Sequence, residues 1–200
     1  MAERGRPRSF DREEALRSAM ELFWARGYEG TTVGDLTEAL GINKPSLYAA
    51  FGCKEALFRE ALELYDLLEG RAIEQAMEEA STAREAVEAA LRINATAYCR
   101  PDRPTGCMVV LSALIGAPEN EPVRAHVAQN RKQGQQAMRE RVERGIAEGD
   151  VPESTDAAQV AAFYTTVLHG LSVQARDGAS PGELVATVDR AMAAWDVVCG

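Results

Sequence analysis

No run of eighteen apolar residues occurs in this chain of 200 residues, so the sequence supplies no obvious membrane-spanning helix. Its first ten residues, MAERGRPRSF, lack the apolar core of a secretory leader, and a cytoplasmic location is expected. Histidine is scarce, with only His126 and His169, and no G-x-S-x-G, P-loop, G-x-G-x-x-G or H-E-x-x-H pattern appears. A catalytic triad or a zinc hydrolase has little to build on, so no enzyme activity is expected. The four cysteines, Cys53, Cys99, Cys107 and Cys199, are scattered without a C-x-x-C pair. In a reducing compartment they are expected as free thiols. Together with the two histidines they do not match the spacing of a structural metal site, and neither a metal nor another cofactor is expected.

Positive charge is also in short supply, with a net charge of −9. The deficit is uneven: residues 1–60 are close to neutral, and most of the acidity falls after residue 60. That balance argues against indiscriminate coating of nucleic acid but leaves room for a localised site. Arg4, Arg6 and Arg8 lie in a Gly/Pro-containing arm that suits either contact with phosphates or the minor groove, or a solvated tail.

The stretch TVGDLTEALGINKPSLYAAFGCK, from Thr32 to Lys54, is the most informative. Thr32 and Asp35 form a capping box, and Val33, Leu36 and Leu40 fall on one face of a short helix. Gly41 stops that helix, because glycine enters the left-handed region at little steric cost. Asn43 caps a second helix, and Pro45 suits its first turn, where no backbone donor is needed. Leu47 and Phe51 turn inward, which leaves Lys44, Ser46, Tyr48 and Ala49 to face elsewhere. Two short helices across a Gly-centred turn, over 32–51, make a helix-turn-helix whose second helix fits a DNA major groove.

Thr31-Thr32-Val33, Leu36, Ala39, Gly41, Ser46-Leu47-Tyr48, Phe51 and Lys54-Glu55-Ala56-Leu57 together resemble the DNA-binding domain of the TetR family of bacterial transcriptional regulators. The resemblance runs from about Asp11 to Tyr65. It implies an all-α fold, with a helix-turn-helix domain over residues 8–68 and a helical regulatory and dimerisation domain over 69–200. It also implies a repressor that binds a palindromic operator in double-stranded DNA as a homodimer and responds to a small-molecule inducer. Lys44, Ser46 and Ala49 match positions that reach base edges, beside Pro45 in the same exposed turn; Ala49 and Ala50 are smaller than the side chains common there. Tyr48 and Lys54 match phosphate-contacting positions, and Thr32 can add its hydroxyl at a helix N-terminus. Each also has a purely structural reading, as a packing residue, a solvated charge or a cap.

Asp11 and Glu14 open an earlier helix that Gly27 ends, and Lys54 starts a longer one running to about residue 80, with a bend permitted at Gly70. Thr82 opens the next, and Pro101 and Pro104 break it. Gly106 to Ala117, containing MVVLSALIG, is expected as a buried helix, although Val109 and Val110 would also suit a strand. A long polar helix, one over Ser154–Arg176, and one opened by Ser180-Pro181-Gly182-Glu183 complete the chain.

Tyr65, Tyr98, Met108, Leu111, Leu114, Phe163, Tyr164 and His169 are candidates to line a ligand pocket between helices, or are plain core. The last two helices are too apolar to cover only one side of a core, and the resemblance implies that this pair forms a four-helix bundle with its symmetry mate. Val160, Val167, Leu171, Leu184, Val188, Met192 and Trp195 are the expected interface with a second copy. Cys53, at the start of the helix from Lys54, is a redox candidate, since a helix N-terminus and a neighbouring ammonium favour thiolate. A thiol- or metal-responsive regulator of the same fold, and a non-enzymatic helical scaffold or adaptor, are the alternatives.

Overall fold

The structure, a computed structural model, describes residues 10–200; the arm carrying Arg4, Arg6 and Arg8 lies outside them. Eleven α-helices and no strand occur among the described residues. The fold is all-α, as expected.

Helix α1 (Arg12–Arg26) begins where the Asp11 carboxylate accepts from the amides of Glu13 and Glu14, and it ends at Gly27, whose φ of 73° is costly for other residues. Helix α2 (Val33–Ala39) has the full Thr32–Asp35 capping box, and α3 (Lys44–Phe51) is capped by Asn43, which accepts from the Ser46 amide at 2.9 Å. Helix α4 (Lys54–Tyr65) passes through a π-helical turn (Asp66–Gly70) into α5 (Arg71–Glu79). The expected long helix is thus present, with an irregular turn at the place where a bend was permitted.

Helix α6 (Ala83–Ala97), the long α8 (Glu121–Glu148), α9 (Ala157–Arg176) and α10 (Pro181–Ala193) build the second half, with a short α11 (Trp195–Cys199) closing it. Two side chains far apart in sequence fasten helix ends here. The Asp150 carboxylate accepts from the Ala83 amide at 2.6 Å, and the buried Arg141 guanidinium donates to the Met77 and Ala80 carbonyls at the end of α5.

The 106–117 stretch departs from expectation. Only one turn, α7 (Met108–Leu111), is helical, and Leu114 and Ile115 are 52% and 88% exposed. The reason is a competing hydrogen bond. The Ser112 carbonyl accepts from the Tyr28 amide at 2.7 Å, so it is taken up by the loop after α1 where a longer helix would have used it. No strand forms at Val109 and Val110.

Two hydrophobic clusters result. The first joins α1 to α4 around Phe23, Phe58 and Tyr28, with Phe58 edge-on to both rings at 5.0 and 5.1 Å between centroids. It also takes in Met108, Ala113, Val123 and Val127. The second lies among α6, α8, α9 and α10 around Leu91, Val142, Tyr164 and Leu184. The segment after Gly106 therefore belongs to the packing of both halves.

Candidate nucleic-acid interface and inter-helix cavity

Helix α3 is rooted by Leu47 and Phe51, both buried, while Lys44, Pro45, Tyr48 and Ala49 are exposed and Ser46 is half-buried. Its far end is held by a contact that no local pattern announces. The Arg12 guanidinium lies 4.6 Å from the Phe51 ring centroid, donates to the Ala50 carbonyl at 3.4 Å and pairs with Glu60 at 2.6 Å. The outward side chains thus ride on a helix fastened at both ends.

Thr32 and Lys54 are already engaged within the chain. The Thr32 hydroxyl accepts from the Asp35 amide and donates to its carboxylate at 2.5 Å, so its one proton is committed to the cap. Hydrogen bonds from Thr32 hold the Asp35 carboxyl below its ordinary range, and Arg26 pairs with it at 3.1 Å. The Lys54 ammonium lies 4.0 Å from the centroid of the Tyr28 ring, a cation–π contact. Burial lowers the Lys54 pKa, and the Glu29 and Asp35 carboxylates oppose that shift. Tyr28, which the sequence reading passed over, is therefore what aims Lys54. Cys53 is exposed and caps α4, its sulfur accepting from the Ala56 amide at 3.4 Å.

A cavity of ≈ 240 Å³ lies among the helices of the second half, bounded by the π turn, α5, α6, α7, α8 and α9. Of the eight candidate pocket residues it brings together Tyr65, Tyr98 and His169. Met108 is buried in the first cluster and Leu111 is half-buried beside the wall, while Leu114 and Phe163 face outward. Tyr164 is core, with its hydroxyl donating to the Ala191 carbonyl at 3.2 Å. Sequence reading missed Cys107 and Arg131 in the lining, as well as Asp66 on the π turn. Irregular backbone hides Asp66 and Cys107 from periodicity, whereas Arg131 lies on the regular α8 and reads there as a solvated charge.

Burial pushes the Tyr65 and Tyr98 hydroxyls well above the ordinary tyrosine range. Asp66, exposed as a residue on the π turn, has its carboxyl crowded by neighbouring atoms and is pushed up to about 6 by that partial desolvation first and then by Glu74 and Glu63. His169 is pushed down by burial and by the charge of Arg131. Among the described residues no three His, Cys, Asp or Glu side chains are grouped to hold a metal ion. Cys99 is spent elsewhere, its thiol donating to the Ala179 carbonyl at 3.3 Å.

Comparison with known proteins fits this geometry. Residues 15–61 match the family described as bacterial regulatory proteins, tetR family, and residues 83–194 match the tetracyclin repressor-like C-terminal domain. The chain belongs to the TetR family. The HTH-type transcriptional repressor ComR of Escherichia coli (strain K12) is 31% identical over 193 residues, covering 96% of this chain and 92% of that protein. The repressor BdcR of the same organism is 34% identical, covering 92% and 88%. A cysteine mutant of the TetR family regulator CifR, complexed with 26bp double-strand operator DNA, superposes with a TM-score of 0.92 at 49% identity, covering 96% of this chain and all of that one. This TetR family protein is a DNA-binding transcriptional regulator and not an enzyme. No helix among the described residues is long and apolar enough to cross a membrane.

The residues expected at the interface with a second copy lie mainly inside this chain. Val160, Leu171, Leu184, Val188, Met192 and Trp195 are all buried in this chain's own second core, and Val167 is half-buried against it. Helical periodicity marks an apolar face but not which neighbour covers it, and the bulkiest residues here serve the intrachain core. The outward face of α9 instead carries Phe163, Thr166, Gly170 and Val173, at successive spacings of three and four. Phe163 and Val173 are about two-fifths exposed, and Val197 after α10 is 84% exposed.

Proposed function

We propose that this protein represses transcription by binding a palindromic operator as a homodimer through α3, and that a small molecule in the inter-helix cavity releases it. One observation carries the reading. Helix α3 is capped, rooted on Leu47 and Phe51, and turns Lys44, Pro45, Tyr48 and Ala49 to solvent. Lys44 donates to guanine, Ser46 to either base type, and Ala49 packs on a thymine methyl. Tyr48 and Lys54 hold phosphates, Lys54 by leaving the Tyr28 ring, and Thr32 presents the N-terminus of α2. The complex of the similar regulator CifR with 26bp double-strand operator DNA supports operator binding by this chain.

The dimer forms through the outward face of α9 with the end of α10, where apolar and small side chains remain uncovered. In this reading residues 8–68 are the DNA-binding domain, 69–200 are the regulatory and dimerisation domain, and the protein works in the cytoplasm. Fluorescence anisotropy on operator-length DNA with a salt titration tests it. Saturable, sequence-selective binding that falls steeply with salt is expected. Equal affinity for operator and scrambled DNA would overturn it. The exposed position of Cys53 at the cap of α4 favours a second control point, at which oxidation adds bulk or charge near the DNA backbone. Peroxide should weaken operator binding of the wild type and spare Cys53→Ser; an equal effect on both would remove this control point.

A further inference from the structure

A second cavity, of ≈ 460 Å³, opens at the joint between the reading head and the regulatory half, and its size suits a small molecule. Helix α1 forms one wall with Arg17, Met20, Glu21 and Trp24, while the π turn, α5, α6 and the 98–103 loop form the others. It meets the inter-helix cavity across a shared wall that includes Tyr65, Asn94 and Tyr98. The floor is buried and aromatic. Trp24 stands edge-on to Tyr65 at 4.9 Å between centroids, and Met20 and Tyr98 complete it. The Trp24 indole N–H is spent on the Gly106 carbonyl at 3.0 Å, so Trp24 offers a ring and no donor.

One buried polar side chain in this lining is only half satisfied. Asn94 is 6% exposed; its amide nitrogen donates to the Ala90 carbonyl at 2.8 Å, and its oxygen accepts from no donor among the described residues. A buried acceptor of this kind calls for a donor from whatever fills the cavity. The rim is charged and evenly balanced, with Arg17, Arg100 and Arg103 against Glu21, Glu69 and Asp102. Arg103 pairs with Glu69 and Asp102, and Arg100 pairs with Asp102 at 2.9 Å. Arg17 and Glu21, one turn apart on α1 and both exposed, have no ion pair among the described residues. A lone anion would meet Glu21 and a lone cation would meet Arg17, whereas a ligand with one charge of each sign complements both.

We propose that this joint cavity binds a free aromatic α-amino acid whose ring carries an N–H or O–H. The ring lies on the Trp24–Tyr65 floor, where aromatic pairs gain more than their buried area alone supplies. The ring donor reaches the Asn94 oxygen, the carboxylate takes Arg17, and the ammonium takes Glu21. Binding is non-covalent, and no bond is made or broken. The bound molecule touches α1 on one side and α6 on the other, so it braces the reading head against the regulatory half from outside the inter-helix cavity.

Isothermal titration calorimetry on the full-length protein, with L-tryptophan as the probe, tests the site. Saturable binding of one molecule per chain is expected. Indole-3-propionate lacks the ammonium and tryptamine lacks the carboxylate, and each should bind about tenfold or more weakly. L-Phenylalanine, which gives the Asn94 oxygen no donor, should lose a similar factor, and L-leucine, with no ring, should lose more. Glu21→Gln should erase the advantage of L-tryptophan over indole-3-propionate, and Arg17→Gln its advantage over tryptamine. Both positions are exposed, so these variants keep the fold. Asn94→Leu should erase the advantage over L-phenylalanine. No binding of L-tryptophan at millimolar concentration would overturn the site. Binding whose preferences survive both rim variants would place the ligand elsewhere and overturn it as well. The readout is ligand binding alone, so failure of the repressor reading would leave this result standing.

Discussion

The two halves of this molecule spend their apolar residues differently. In the reading head, large aromatic side chains converge on one point: Phe23, Tyr28 and Phe58 meet edge-on or stacked, and Trp24 lies edge-on to Tyr65 at 4.9 Å. On α3 itself only Tyr48 is left outside among the large apolar side chains, so Lys44, Tyr48 and Ala49 are the candidate working surface, while Leu67 and Leu68 are exposed on the π turn. In the regulatory half the apolar residues are smaller and more numerous than one core needs. They are shared among a core, a cavity and an outward face on α9. A tightly closed core makes function easy to locate, and an oversupplied one conceals it.

The sharpest break in that contrast is Phe58→Ala. Phe58 is fully buried at the centre of the head, and its truncation should cost about 3–5 kcal/mol in urea or thermal unfolding. A loss below about 1 kcal/mol would mean that the head is not closed as described. Next in size, Phe163→Glu with Val173→Glu places charge on the outward face of α9. By light scattering or sedimentation it should weaken self-association by about tenfold or more while leaving the monomer folded. Unchanged association would move the interface off that face.

Lys54→Ala tests the head as a surface. It should weaken binding to all DNA sequences alike and reduce the slope of log affinity against log salt by about 1. A loss confined to one base position would contradict a phosphate role. Thr32→Ala removes a cap, and about 1 kcal/mol of stability should go with it, with Thr32→Ser restoring most of it.

The smallest effect, because Asp66 is exposed and solvent screens it, is a pH dependence at the π turn that joins the two halves. The folded-state pKa of Asp66, about 6, stands above its ordinary 3.8, so the folded form holds the proton more tightly. Its contribution is therefore neutral below about pH 4, grows destabilising between about pH 4 and 6, and is constant above that. Asp66→Asn should raise the melting temperature above pH 6 and lose that advantage towards pH 4. An advantage that is the same at both pH values would place the carboxylate in water.

How far the sequence reached follows the same division. The caps at Asp11, Thr32, Asn43, Thr82 and Ser180 are local, each written within four residues, and each is present. The contacts that aim the site are not local: Arg12 on Phe51 and Lys54 on Tyr28 depend on how α1 and α4 cross. The 106–117 stretch misleads because its composition suits a buried helix while its carbonyl at Ser112 is claimed by Tyr28. Cys107 was visible only as a scattered thiol, since its neighbours Tyr65 and Tyr98 come from two other helices.

The most direct measurement is a hydroxyl-radical footprint of the protein on its operator. Two symmetric helices presented outward predict two protected patches on one face of the DNA, separated by one helical turn or a multiple of it, about 34–36 Å per turn. Both patches should vanish with Lys44→Ala, Tyr48→Ala and Lys54→Ala combined. A single patch, or protection that survives that triple variant, would contradict the account.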